Sequence, residues 1–441
     1  MGTSNARWLM VVSCLAVMAL AAGARRPSID DDAAPAPAPA PIKWGVKAEV
    51  RGFARADGTR FTVGGRPFYP NGFNAYWLMY MASNPADRSK VLDVLDQASR
   101  LGATVIRTWA FSDGGSNRPL QTTPGVYSED VFVGLDFVIA EAKKRGLYLI
   151  LSLVNNWGDF GGKRQQYVQW AKDQGHNLGS DDDFFRDALT QQFYKEHVKV
   201  RPSIVSFVCF VCVEQRVLTR INSFTGVAYK DEPTIFAWEL MNEPRVLTDP
   251  SGKTMQAWVA LMSSYVKSID DKHMVEVGLE GFYGESTPER KRFNPGGDSA
   301  GTDFIGNNRI PTVDFATIHY YPDVWLPGST GEQQVEFWKK WMASHIEDTA
   351  KALRKPLVVA EFGWNSVGNA VTARDDYFRM VYDAIYASAK RGGPCAGGLF
   401  WQVLAPGMES WTDRYAVVLE RSSTTAAIVS QEYARIGRIT P

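Results

Sequence analysis

The sequence predicts an α/β fold, a (β/α)8 TIM barrel forming a single catalytic domain, on three observations. Short and almost continuously apolar segments recur eight times between residues 68 and 403. Amphipathic helical patterns lie between them. No second linker and no internal repeat divides the region from about Lys43 to Pro441. Parallel strands buried on both faces read as unbroken apolar runs, and strands alternating with helices build parallel sheets.

The predicted strands are Phe68–Ala75, Thr104–Ala110, Leu147–Asn155 and Thr234–Glu243, followed by Met274–Glu280, Val313–Tyr321, Pro356–Trp364 and Ala396–Val403. The helical segments carry their own punctuation. "DRSKVLDVLDQASRLG" places Val91, Leu92, Val94, Leu95, Ala98 and Leu101 on one broad face and stops at Gly102. "SEDVFVGLDFVIAEAKKRG" opens on Ser128, ends on basic residues and stops at Gly146, and "TARDDYFRMVYDAIYASAKRGG" repeats the scheme. A capping residue, an acidic start, a basic end and a terminal glycine complement the unpaired backbone groups and dipole of a helix.

The ends of the chain organise differently. "MGTSNARWLMVVSCLAVMALAAGA" has Arg7, an apolar stretch and a small-x-small pattern at Ala22–Ala24, so residues 1–24 are expected to be a secretory signal peptide. Residues 25–43 form an Ala/Pro-rich spacer, because proline lacks an N–H and restrains its predecessor. The catalytic domain is then 44–441. Cys14 leaves with the signal, and Cys209, Cys212 and Cys395 remain, which is no disulfide framework.

Composition excludes some functions. Lys+Arg and Asp+Glu both number 48, so nothing draws the chain to nucleic acid or an anionic membrane surface. Five histidines without His-Glu-x-x-His spacing, and no Gly-x-Ser-x-Gly elbow, argue against zinc or serine chemistry.

A barrel of this kind places its chemistry at the C-terminal ends of its strands. There the sequence puts Arg107, Thr108 and Trp109 on the second strand, Asn242 and Glu243 on the fourth, and His319, Tyr320 and Tyr321 on the sixth. Glu361 ends the seventh and Trp401 the eighth. Two carboxylates facing each other across the barrel mouth suit glycoside hydrolysis: one protonates the leaving oxygen, and the other attacks the anomeric carbon or activates water. Arg107 is expected to hold Glu361 ionised, Tyr321 to orient it, Asn242 to bond a sugar 2-hydroxyl, and Trp401 to floor the reacting sugar.

"FAWELMNEPR", "IHYYPDVW", "VVAEFGW" and "GGLFWQV" resemble glycoside hydrolase family 5, whose catalytic glutamates lie on strands four and seven. "NGFNAYWLM", "VIRTWAFSDG", "LVNNWGDFGGKRQQYVQW" and "GVAYKDEPTIFAWELMNEPR" are similar to the plant endo-β-1,4-mannanases. The resemblance implies an endo-acting, retaining, double-displacement hydrolase of β-1,4-mannosidic bonds in mannan, glucomannan and galactomannan. Glu243 matches the acid/base and Glu361 the nucleophile. Arg107, Asn242, His319, Tyr321 and Trp401 match other active-centre positions, and Trp77 matches a substrate-contacting tryptophan. No metal and no cofactor is implied. The partner is polysaccharide, and the mature enzyme is expected to be secreted to the cell wall, free of membrane and monomeric. The alternative is a β-1,4-glucanase of the same family.

One stretch stands apart. "VRPSIVSFVCFVCVEQR", at about 200–216, separates "FFRDALTQQFYKEHVK" from "VLTRINSFTG", which read as two halves of one helix. Its apolar run is too short to span a membrane, and Cys209 and Cys212 lack the further ligands of a zinc set. The segment reads as foreign to the fold, translated intron or splice-variant sequence that loops out of the barrel. A second alternative for the whole chain is therefore a poorly folding or inactive variant.

Overall fold

A computed structural model describes residues 50, 52–114, 117–158, 164–199, 216–365 and 371–439. The expected signal peptide, the spacer and residues 200–215 of the apolar insert lie outside these.

All eight predicted barrel strands form: β1 (Gly72–Asn74), β2 (Val105–Trp109), β3 (Tyr148–Ser152), β4 (Ile235–Glu239), β5 (Met274–Glu276), β6 (Ala316–Tyr320), β7 (Leu357–Phe362) and β8 (Cys395–Phe400). They make one parallel sheet in the order β5-β4-β3-β2-β1-β8-β7-β6. The ring is drawn together between β5 and β6 by single backbone bonds, Asp314 N–H to Val275 O at 2.8 Å and His319 N–H to Glu280 O at 2.9 Å. Helices α1 (Arg88–Leu101), α2 (Glu129–Lys144), α3 (Arg164–Asp173), α4 (Ala188–Val198), α5 (Lys253–Lys267), α6 (Gly331–Asp348), α7 (Val371–Lys390) and α8 (Ser423–Gly437) are the longer of the helices between and after the strands. Gly102 and Gly146 end α1 and α2 with φ of 81° and 68°, the left-handed conformation that glycine adopts without steric cost. Ser128 precedes α2 as expected but makes no side-chain capping bond.

The first predicted strand needs correction. Phe68 does not belong to β1. It ends a separate antiparallel sheet of Ala54–Asp57, Arg60–Val63 and Arg66–Phe68, and Pro70 stands between this sheet and β1. Its two hairpins turn at Gly58 and at Gly64-Gly65, all at positive φ. These are the turn residues a tight hairpin demands. Phe61 packs from this sheet against Phe236 and Phe315, each ring centroid 5.2 Å away, joining the small core cluster that includes Val105, Val358 and Leu399.

The flanks of the insert are also not two halves of a helix. α4 ends at Val198, and Val217–Thr219 is a single 3-10 turn followed by extended backbone. Side-chain bonds, one of them long-range, accompany the non-helical backbone. Arg220 is drawn into bonds with Asp136 at 2.9 and 2.7 Å, and Asn222 accepts from Phe224 and Thr225 N–H, making a turn.

Candidate active site

Glu243 lies beyond β4, in a turn whose backbone the neighbouring strand shapes. Its φ is 49°, a left-handed value unusual for a residue with a side chain, and its N–H is held by Gly278 O at 2.9 Å. Gly278, at φ 89°, is required for this approach, since a Cβ there would sit 1.9 Å from Met241 O. The turn and its glycine thus fix where the Glu243 carboxylate points.

Glu361, on β7, is reached from two sides. Arg107 on β2 donates from Nη1 to Oε1 at 2.5 Å, and the Tyr321 hydroxyl donates to Oε2 at 2.6 Å. His319 on β6 stands between the glutamates, with Nδ1 2.8 Å from Glu243 Oε1 and 3.6 Å from Glu361 Oε2. One oxygen of each carboxylate and the imidazole nitrogen all lie within 4.8 Å of one another. Asn242 lies behind, its Oδ1 accepting from Arg107 Nη2 at 2.6 Å and its Nδ2 donating to Asn155 at 3.0 Å. Trp401 lines the mouth, held by its indole bond to Asp413 at 2.7 Å and stacked on Tyr76 at 5.5 Å between ring centroids. The cleft has a volume of about 550 Å3.

Of the site residues named from sequence, Glu243, Glu361, Asn242, Tyr321 and Trp401 line this cleft, and His319 joins the two glutamates. Arg107 reaches Glu361 as expected, whereas Trp77 is placed differently from expectation. Arg107 is completely buried beneath the glutamates, with its guanidinium committed to Glu239, Asn74, Glu361 and Asn242. It is bonded to side chains of the site and does not line the cleft. Trp77 is also fully buried, donating from its indole to Val403 O at 2.9 Å, so it offers no exposed face for a sugar.

Sequence reasoning missed Trp157, which is 39% exposed and donates to Glu243 Oε2. It also missed Glu239, beneath Arg107, and the Arg245–Glu280 pair in the cleft wall, bonded at 2.7 and 2.6 Å. Trp157, Glu239 and Arg245 sit inside the motifs "LVNNWGDFGG" and "FAWELMNEPR", so proximity to recognised residues was the available signal.

The charges are strongly coupled. Burial opposes ionisation of Glu243, but the His319 bond and charge overcome it and hold Glu243 at about 2. Burial pulls His319 down, and Glu361 and Glu243 together push it above its ordinary value. Burial and the Glu243 charge push Glu361 up, while His319, Arg107 and Tyr321 pull it back. Both carboxylates thus favour the protonated form of His319. Burial and then Glu243 push Glu280 to about 7. Among the described residues, Glu243, His319 and Glu361 are also the one set of three groups arranged to share a metal ion. The Arg107 guanidinium on Glu361 already supplies positive charge there, which opposes a cation.

A (β/α)8 barrel with two close carboxylates at the ends of its fourth and seventh strands has the architecture of a glycoside hydrolase. The sequence pattern of the glycoside hydrolase family 5 β-mannosidase-like group matches residues 51–412. The putative mannan endo-1,4-β-mannosidase 9 of Oryza sativa subsp. japonica is 68% identical over 391 residues, 88% of this chain and 90% of that protein. Mannan endo-1,4-β-mannosidase 7 of Arabidopsis thaliana is 51% identical over 387 residues, 87% of this chain and 85% of that one. The solved endo-β-1,4-mannanase of Thermotoga petrophila superposes with a TM-score of 0.69 at 33% identity, covering 84% of this chain and 77% of that one. The chain belongs to glycoside hydrolase family 5.

Proposed function

We propose that this chain is an endo-β-1,4-mannanase that cleaves mannan-type polysaccharides by retaining double displacement. The observation that carries the mechanism is the spacing of Glu243 and Glu361, with carboxylate oxygens within 4.8 Å. Retaining enzymes hold their carboxyl groups about 5–5.5 Å apart, whereas inverting ones leave roughly 6.5–9.5 Å for a water molecule. The names of the relatives supply the substrate class.

In this reading Glu361 attacks the anomeric carbon and the glycosidic C–O bond breaks. Glu243 protonates the departing oxygen, leaving a mannosyl ester on Glu361. Water, deprotonated by Glu243, then releases the sugar and restores the nucleophile. The proton for the first step reaches Glu243 from His319 across their 2.8 Å bond. The transfer removes both the Glu243 charge that raises Glu361 and the His319 charge that lowers it, and leaves the nucleophile to Arg107 and Tyr321, which favour its ionised form. Asn242, through the N–H of Nδ2 not given to Asn155, is the proposed partner of the sugar 2-hydroxyl, and Trp401 its proposed aromatic floor.

Residues 1–24 fit a signal peptide and 25–43 a spacer, so the mature domain is proposed to act as a secreted monomer on cell-wall polysaccharide. Reducing-sugar release from mannan and from carboxymethylcellulose separates mannanase from β-1,4-glucanase. Preferential release from mannan is the expected outcome, and preferential cleavage of the cellulose overturns the proposal.

A further inference from the structure

Beneath the pair of glutamates in the cleft lies a second pair. Glu239 ends β4 and Glu276 ends β5, and the two are register partners across neighbouring strands. Both are fully buried. Glu239 receives Arg107 in a two-pronged bond, Nε to Oε2 at 2.6 Å and Nη2 to Oε1 at 2.7 Å, and Ser152 Oγ donates to the same carboxylate. Every acceptor of Glu239 that faces β2 and β3 is therefore engaged.

Glu276 is served differently. Its Oε2 accepts from Gly278 N–H at 2.5 Å and from the Thr317 hydroxyl at 3.3 Å. Its Oε1 is buried and meets no N–H or O–H donor, yet the side chain is within hydrogen-bonding reach of Glu239. A carboxyl oxygen that no donor serves, beside a carboxylate that can accept, is placed to carry a proton of its own. The charges facing the pair lead to the same conclusion. Arg107 from β2 is its cation, Glu361 from β7 is a further carboxylate on that guanidinium, and Ser152 and Thr317 are neutral. Tyr194 from α4 is a more distant neighbour of Glu239, its hydroxyl bonded to Leu240 O at 2.8 Å. Three ionised carboxylates around one buried guanidinium would be strongly unfavourable.

We propose that Glu239 and Glu276 share one proton, carried on Glu276 Oε1 and donated to Glu239, and that this pair positions Arg107 and through it Glu361. Burial, followed by the Glu239 charge, pushes Glu276 far above the carboxylate range. Glu239 is held below that range, because Arg107 outweighs the burial acting on it. The proton makes Glu276 a donor instead of a third negative charge, and leaves Arg107 one anchor below and one target above. Both glutamates are positioning residues, since neither touches the cleft. The inference rests on the reading of Glu361 as nucleophile.

Infrared difference spectroscopy of the full chain tests the proton directly and needs no activity. At about pH 9, Glu280 and Asp113, both pushed to about 7 mainly by burial, have lost their protons. The wild type is expected to keep a carbonyl band of a protonated carboxylic acid there, and Glu276→Gln to lose it. Absence of the band, or its persistence in the variant, overturns the proposal. Kinetics on mannan test the positioning role. Glu276→Leu, which removes the donor, is expected to lower kcat about 100-fold with little change in KM. Glu276→Gln, which keeps a donor to Glu239, is expected to recover most of that loss. Equal kcat in the two variants, or a loss confined to KM, contradicts the positioning role. A wild type without mannanase activity would instead refute the functional reading and leave the infrared result to decide the proton.

Discussion

At the scale of single residues, the site is a set of unlike groups forced to share few protons. In the proposed mechanism Glu243 needs a proton to assist departure of the leaving oxygen, and His319, 2.8 Å away, is proposed to supply it. Glu243→Gln removes the acid while keeping the shape. It is expected to lower kcat on mannan by roughly 100- to 10,000-fold. An aryl mannoside with a good leaving group needs no protonation, so its glycosylation step should be largely spared. Pre-steady-state release of the aryl group checks this, and an equal loss on both substrates would remove Glu243 from the acid role. The residues legible in the sequence were those whose chemistry is scarce: carboxylates, an arginine, a histidine and an asparagine ending apolar strands. Tryptophans were harder, because an indole serves a core and a sugar cleft equally well. Trp77 reads like a cleft residue and is buried, while Trp157, in a loop, bonds to Glu243.

His197 shows what burial does away from the cleft. Burial first, then the Arg216 charge, pushes its imidazole down to about 3 from the ordinary 6.5. Between those values the unfolded chain takes up a proton that the folded chain refuses. Stability from this group is complete above about pH 6.5 and falls toward pH 3 by about 1.4 kcal/mol per pH unit. Urea unfolding across that range should show a shallower decline for His197→Phe than for the wild type. Identical slopes would contradict the assignment.

At the scale of elements, strand existence was legible and strand boundaries were less so. Eight apolar runs gave eight barrel strands because burial on both faces leaves no room for polar alternation. The antiparallel sheet before β1 was overlooked, although Asp57-Gly58 and Gly64-Gly65 are hairpin signals, since its short strands mix charged and apolar residues. The helix expected after the insert failed for a reason no periodicity reveals: Arg220 finds a buried acidic partner, Asp136, outside its own segment. The two flanks of the insert do meet a common anchor. The Tyr127 ring stacks with His197 at 5.8 Å on one side of the segment, and Arg216 on the other lies 4.4 Å from the ring centroid. Arg216 Nη1 also donates to Gly125 O. Tyr127 thus holds the described residues on either side of the segment to the barrel. Deleting Val200–Gln215 is expected to raise soluble yield and melting temperature and leave substrate choice unchanged, because apolar, β-prone runs promote aggregation. Purified yield and thermal unfolding of the two chains measure this. A lower melting temperature after deletion would show that the segment belongs to the fold.

At the scale of the whole molecule, the barrel brings together side chains that the sequence separates widely. Arg107 on β2, Glu243 beyond β4, His319 on β6 and Glu361 on β7 meet because parallel strands deliver all their C-terminal ends to one rim. No helix among the described residues is long and apolar enough to cross a membrane. What the sequence withheld at this scale was the layer beneath the rim, where Arg107 serves Glu239 as well as Glu361. Arg107 and Glu239 lie within recognised motifs, but no motif says that they bond to each other beneath the rim.

Cleavage of β-mannosidic bonds by Glu243 and Glu361 through a covalent intermediate, as proposed, fixes the configuration of the first product. Proton NMR of freshly mixed enzyme and mannohexaose observes the new reducing end before it mutarotates. Double displacement makes the first anomer to appear β. An initial α anomer would mean inversion and would contradict it.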